Sequence, residues 1–174
     1  MKRSAHTAGL LILWLLTSQP AIAAAAADTG TSCGLGGITY LGQLQSELSR
    51  RAVEAVKLAA KSNGITNPRL KSLVAADAEV DLGAGDVGRP LGTGPVGLRA
   101  LAALMKAEAY RFQLWTYIPT PVSDPCGQQE VTVEFSAKQG SDFYPIKFKF
   151  AGGVIVSAKG WTEAFQSGPM DHTP

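Results

Sequence analysis

Apolar side chains in the last third of the chain recur with a period of two. Glu130 to Ser136 sets Val131, Val133 and Phe135 on one side, and Phe143 to Phe150 sets Tyr144, Ile146, Phe148 and Phe150 on one side. Such alternation belongs to strands with one buried face. Gly152-Gly153 predicts a tight turn, after which Val154 to Trp161 returns as a further strand. Tyr110 to Ile118 predicts another, with Tyr110, Phe112, Leu114, Thr116 and Ile118 on one side. The segment Pro119 to Gly127 between them holds three prolines and reads as a loop. An antiparallel meander of this kind needs helices from earlier in the chain to cover its apolar face.

The earlier sequence supplies them. Leu41 to Ser62 reads as an amphipathic helix with Leu41, Leu44, Leu48, Val53, Val56 and Ala60 near one face. Glu47/Arg51 and Glu54/Lys57 pair on its outside, and Asn63-Gly64 stops it. Pro68 opens a short helix to Ala75. Ala78 to Leu82 alternates as a half-buried strand, Gly83 to Gly94 reads as a glycine-rich loop, and Pro95 opens a third helix to about Ala107. The expected class is α+β: a curved, mostly antiparallel sheet with three helices enclosing a conical pocket.

Residues 1–23 read as a secretory signal peptide. Lys2 and Arg3 form the charged start, Ala8 to Leu16 the apolar stretch, and Ala21-Ile22-Ala23 the small-x-small cleavage pattern. As a helix the stretch rises only about 14 Å, too short to span a bilayer. The alanine run leaves the cut between Ala23 and Ala27. Residues 24–38 follow as an extended lead-in, 39–166 as the folded domain and 167–174 as a disordered tail. Export to a periplasm or the extracellular space is the expectation, without membrane insertion after cleavage.

Removing Lys2 and Arg3 from the 16 basic residues leaves them equal in number to the 14 acidic ones. The mature chain is neutral, so no electrostatic case remains for nucleic acid. An oxidising compartment favours pairing of Cys33 with Cys126, the only two cysteines. Both histidines, His6 and His172, lie outside the expected domain. That excludes a Ser/His/Asp triad or a histidine-rich zinc site within it.

The order of elements and three phrases resemble the nuclear transport factor 2-like cone fold, which includes ketosteroid isomerases and SnoaL-like cyclases. The phrases are Leu73-Val74-Ala75-Ala76-Asp77-Ala78-Glu79-Val80, the stretch Gly97 to Leu104, and Phe148-Lys149-Phe150-Ala151-Gly152-Gly153-Val154-Ile155. The resemblance covers roughly residues 41–165 and implies a conical pocket, with a homodimer through the sheet as a common arrangement. It does not carry over the isomerase chemistry. The isomerase's base falls at Leu82, its acidic oxyanion donor near Ile146 and its first-helix tyrosine near Ala52.

Two stretches, Gly83 to Gly88 and Gly92 to Gly97, match the dinucleotide fingerprint in letters only. Neither joins a strand directly to a helix, so both read as loop and no cofactor is expected. Backbone N–H groups near Gly94 to Gly97, with Arg89 or Arg99, offer at most a small-anion site. Asp77, Glu79 and Asp81 form an acidic comb, read as solvated acids on an edge strand and not as a metal site. Glu130 and Glu134 are expected to face Lys147 and Lys149 across neighbouring strands.

The expected inner face is apolar with a few polar handles. Tyr110, Thr116 and Tyr144 are the candidate ligand-pocket residues, with Trp161 at the rim. The competing expectation is that helices fill the cone. On the opposite face Arg111, Trp115 and Tyr117 fall in a row with interface character, fitting a homodimer or another protein contact. The leading expectation is a non-catalytic, exported domain binding a small apolar ligand or a protein partner. The first alternative is a SnoaL-like lyase, isomerase or hydrolase with Asp81 or Asp86 as base and Arg99 or Tyr144 stabilising negative charge. The second is an interaction module of an envelope assembly.

Overall fold

A computed structural model describes residues 33–84, 87–113, 119–137 and 142–164. The expected signal peptide, Asp86, Leu114, Trp115, Thr116, Tyr117 and the expected tail lie outside the described residues.

Helix α1 (Leu41–Ala59) buries Leu44, Leu48, Ala52, Ala55 and Ala59, which recur every three or four residues along one face. A 3-10 turn (Gly64–Thr66) and α2 (Pro68–Leu73) follow. The Asn67 side chain caps α2 by accepting from the N–H of Arg69 at 2.8 Å, and Pro68 occupies the first helical turn. The chain passes directly from Leu73 into β1 (Val74–Ala84), so α2 ends two residues before the sequence pattern suggested. Then come β2 (Pro90–Thr93), α3 (Gly94–Met105), β3 (Ala107–Gln113), β4 (Gln129–Ala137), β5 (Asp142–Ala151) and β6 (Val154–Ala164).

The six strands form one open, curved sheet in the order β2-β1-β6-β5-β4-β3. Only β1 and β6 run parallel; every other pair is antiparallel. Two expectations are corrected here. The second half of the glycine-rich stretch holds strand β2, a weak sequence signal because Pro90 and Gly92 are poor strand formers. That strand and β6 flank β1, so the acidic comb does not lie on an edge strand.

One face of the sheet is buried beneath the helices. Val80 and Leu82 (β1), Val131, Val133 and Phe135 (β4), and Ile146, Phe148 and Phe150 (β5) meet Leu44, Leu48, Leu98, Leu101 and Met105 from α1 and α3. The lead-in joins this core through the buried Leu35. Cys33 and Cys126 form a disulfide with 5.8 Å between their Cα atoms. It ties the lead-in to the proline-rich loop, where Tyr40 also bridges Pro121 and the Val122 N–H donates to the Thr39 carbonyl at 2.9 Å.

Candidate functional site

The core packing leaves little space deep between sheet and helices, since Leu48, Leu98, Ile146, Phe148 and Phe150 are almost fully buried. Space opens where β1 and β6 end. A cleft of about 390 Å³ there is lined by Leu82, Gly83, Ala84, Val87, Arg89, Leu104, Tyr144 and Thr162. Alternation decides much of that lining. Leu82 follows Val80 onto the inner face of β1, and Tyr144 precedes Ile146 on the inner face of β5. The return from β1 brings in the rest. The Leu82 N–H donates to the Arg89 carbonyl at 3.0 Å and the Ala84 N–H to the Val87 carbonyl at 3.1 Å. Residues opposite one another in an antiparallel pair share a face, so Arg89 stands beside Leu82.

Among the described residues the lining is mostly apolar, with one phenol, one hydroxyl and one guanidinium. Arg89 is exposed, forms no ion pair with a described carboxylate, and is the only charged residue among the described lining residues. Burial pushes the Tyr144 phenol above its usual range, and the nearby Asp142 carboxylate adds to this by charge and by a hydrogen bond. Tyr144 thus remains a neutral hydroxyl at physiological pH. Sequence reading did not single out Asp142, Val87 or Leu104. The signal available for Asp142 was its position two residues before Tyr144, on the same strand face.

The remaining candidates are distributed elsewhere. Tyr110 and Tyr144 both stand opposite Phe135, which fills the space between them, so the two phenols line separate clefts. Tyr110 stacks on Phe112 at 5.6 Å beside α1. Trp161 was expected at the rim of the inner face but lies on the outer one. Its six-membered ring covers Gly83 on the side of β1 away from Leu82. The register causes this, because the inner-facing residues of β6 there are Ala158 and Gly160. Asp81, offered as a base, also faces outward and pairs with Lys159 at 3.2 Å. Glu79 shares that lysine, which holds its carboxyl below the usual range. Arg99 is exposed on α3 and does not line the cleft. Glu130 pairs with Lys147 at 3.1 Å, whereas Glu134 turns the other way to Arg111 and Gln113. The three positions matching the isomerase's catalytic groups, Leu82, Ile146 and Ala52, are all buried and apolar.

Three helices on one face of an open, curved, mostly antiparallel six-stranded sheet define the class: the chain has the nuclear transport factor 2-like cone fold. No protein-family model matches it, and no curated protein matches it in sequence. Among solved structures it is similar to a cystatin-like fold protein from Burkholderia xenovorans LB400. That match has 15% identity and a TM-score of 0.42, covering 73% of this chain and 97% of the other. It is also similar to an NTF2-like protein of unknown function from Methylobacillus flagellatus KT, at 15% identity and a TM-score of 0.40, covering 70% and 91%. A de novo designed protein of the same fold matches at 12% identity and a TM-score of 0.41, covering 68% and 86%. These likenesses concern the fold and carry no argument about activity.

Proposed function

We propose that the protein is an exported, non-catalytic cone-fold domain that holds a small, mainly apolar molecule in the cleft at the ends of β1 and β6. The observation that carries this reading is the lining itself. Leu82, Ala84, Val87 and Leu104 offer apolar contact, while Tyr144, Thr162 and Arg89 offer a few convergent polar groups. Large apolar side chains standing open to water at Val87 and Leu104 favour a ligand that covers them. Arg89 favours one with an acceptor or anionic end. The disulfide is compatible with an oxidising compartment, and no helix among the described residues is long and apolar enough to cross a membrane.

The test is binding of an apolar fluorescent dye, with native mass spectrometry for a co-purified ligand. Dye binding that Leu104→Glu weakens at least tenfold is the expected outcome; Leu104 is exposed, so the fold tolerates the change. A ligand-free protein that ignores the dye, or binding indifferent to Leu104→Glu, overturns the reading.

A second reading is supported by the Asp142–Tyr144 contact beside the cleft. It makes the domain an enzyme of the same fold, with Asp142 in place of Asp81 or Asp86 as the base. Turnover abolished by Asp142→Asn at unchanged ligand affinity would favour it over the binder.

A further inference from the structure

We infer that the outer face of the sheet carries a trough for a neutral oligosaccharide, laid across the strands against Trp161. A cleft of about 400 Å³ lies on this face, opposite to the Tyr144 cleft, and none of its described lining residues belongs to a helix. Register builds it. Asp81 stands opposite Lys159, Lys159 opposite Lys147, and Lys147 opposite Thr132. Residues paired across strands share a face, so these four side chains form one rung over β1, β6, β5 and β4, and all four line the cleft. Neighbouring strands lie about 4.8 Å apart, which puts about 14 Å between the ends of the rung. Trp161 and Pro145 wall the trough along one side. Trp161 is 43% exposed, with its ring set against Gly83, where no side chain intervenes.

The chemistry of the rung selects the class of ligand. Lys159 is held by Glu79 and, at 3.2 Å, by Asp81, while Glu130 holds Lys147 at 3.1 Å. Both ammonium groups are fixed in place and their charge is offset, so the trough does not favour an anion. Nucleic acid, which draws its affinity from uncompensated cations, fits poorly for the same reason. An ammonium carries three donors and a carboxylate several acceptor sites, so the ion pairs leave hydrogen-bonding capacity to spare, and the Thr132 hydroxyl adds more. The four strands under the rung each pair on both sides, which leaves no backbone edge for a peptide to join as a strand. A wholly apolar ligand would strip water from the charged groups without replacing it. A short chain of sugar rings meets every condition. Its hydroxyls both donate and accept along the rung, and the C–H face of a ring packs on the open indole.

The experiment is an NMR titration of the isotopically labelled protein with cellohexaose, maltohexaose and N-acetylated chitohexaose, and with sulfated maltohexaose as the anionic control. The expected result is that at least one neutral sugar shifts the Trp161 indole N–H and the amides of Asp81, Thr132, Lys147 and Lys159. Its affinity should change little as salt is added, because the rung is charge-compensated. Trp161→Ala should weaken binding about tenfold or more, and Lys147→Met about threefold. The Lys147 side chain is exposed, so the fold tolerates its replacement. Gly83→Ala, whose methyl would push the indole off β1, should weaken binding as well. Absence of shifts with all three neutral sugars at millimolar concentration overturns the inference, as do shifts confined to the Tyr144 cleft. Binding that Trp161→Ala leaves unchanged overturns it too. Tighter binding of the sulfated sugar would mark an anion site instead. A dimer whose dissociation on dilution by itself moves the Trp161 signal would make a second copy of the chain the occupant; either result also overturns the inference.

Discussion

Single side chains in this protein do work that their immediate sequence neighbours do not reveal. Arg51 is the clearest case. Its spacing from Glu47 reads as a solvated pair on a helix surface, and that contact exists at 3.2 Å. Yet the side chain is only 14% exposed. Its guanidinium also donates to the carbonyls of Cys33 at 2.9 Å, Gly34 at 2.7 Å and Gly153 at 3.2 Å. One residue thus fastens the lead-in, α1 and the β5–β6 turn together. Tyr144 supplies the prediction at this scale. Its phenol holds its proton more tightly in the folded state than the usual value near 10. Its contribution to stability is therefore fully present below about pH 10 and is lost as pH rises through the raised value. The difference in phenolate absorbance between wild type and Tyr144→Phe should show a midpoint above 10; a midpoint at or below 10 would contradict the assigned burial.

Strands show what alternation can and cannot specify. It identifies the buried faces of β4 and β5 residue by residue, because a period of two leaves no choice once one face is apolar. It is silent on β2, whose four residues contain a proline and a glycine and no repeating pattern. It is equally silent on where β6 turns Trp161 and on which strand receives Glu134. Each depends on a register set across strands distant in sequence. Close approach between elements gives a prediction of its own. A methyl added at Gly160 would strike the Pro145 carbonyl and the Ile146 side chain on β5, whereas the nearest atoms to one added at Gly83 all belong to the exposed Trp161 ring. Gly160→Ala should cost about 2–3 kcal/mol in urea unfolding, and Gly83→Ala less than about 1 kcal/mol. Similar costs at the two sites would show that the β5–β6 contact is not tight.

At the scale of the molecule, one covalent bond and one buried leucine make the lead-in part of the fold. The disulfide spans 93 positions, and Leu35 lies in the core between the linked Cys33 and α1. The chain-entropy model assigns such a loop about 4–5 kcal/mol, with engineered bonds often giving less. Replacing Cys33 and Cys126 by serine should lower unfolding free energy by about 3–5 kcal/mol. A loss under about 1 kcal/mol would mean that Arg51 and the Leu35 contact hold the lead-in unaided.

Local and compositional features are legible in the amino-acid order: the faces of the meander strands, the helices that cover them, the charge balance and the identity of the cysteines. Only the folded chain shows that β1 lies parallel to β6 inside the sheet, that Asp81 and Trp161 face outward, and that one of the clefts opens beside Tyr144 and Arg89. The reason is physical. Alternation follows from the geometry of one strand, whereas pairing, register and empty volume depend on contacts between residues far apart in the chain.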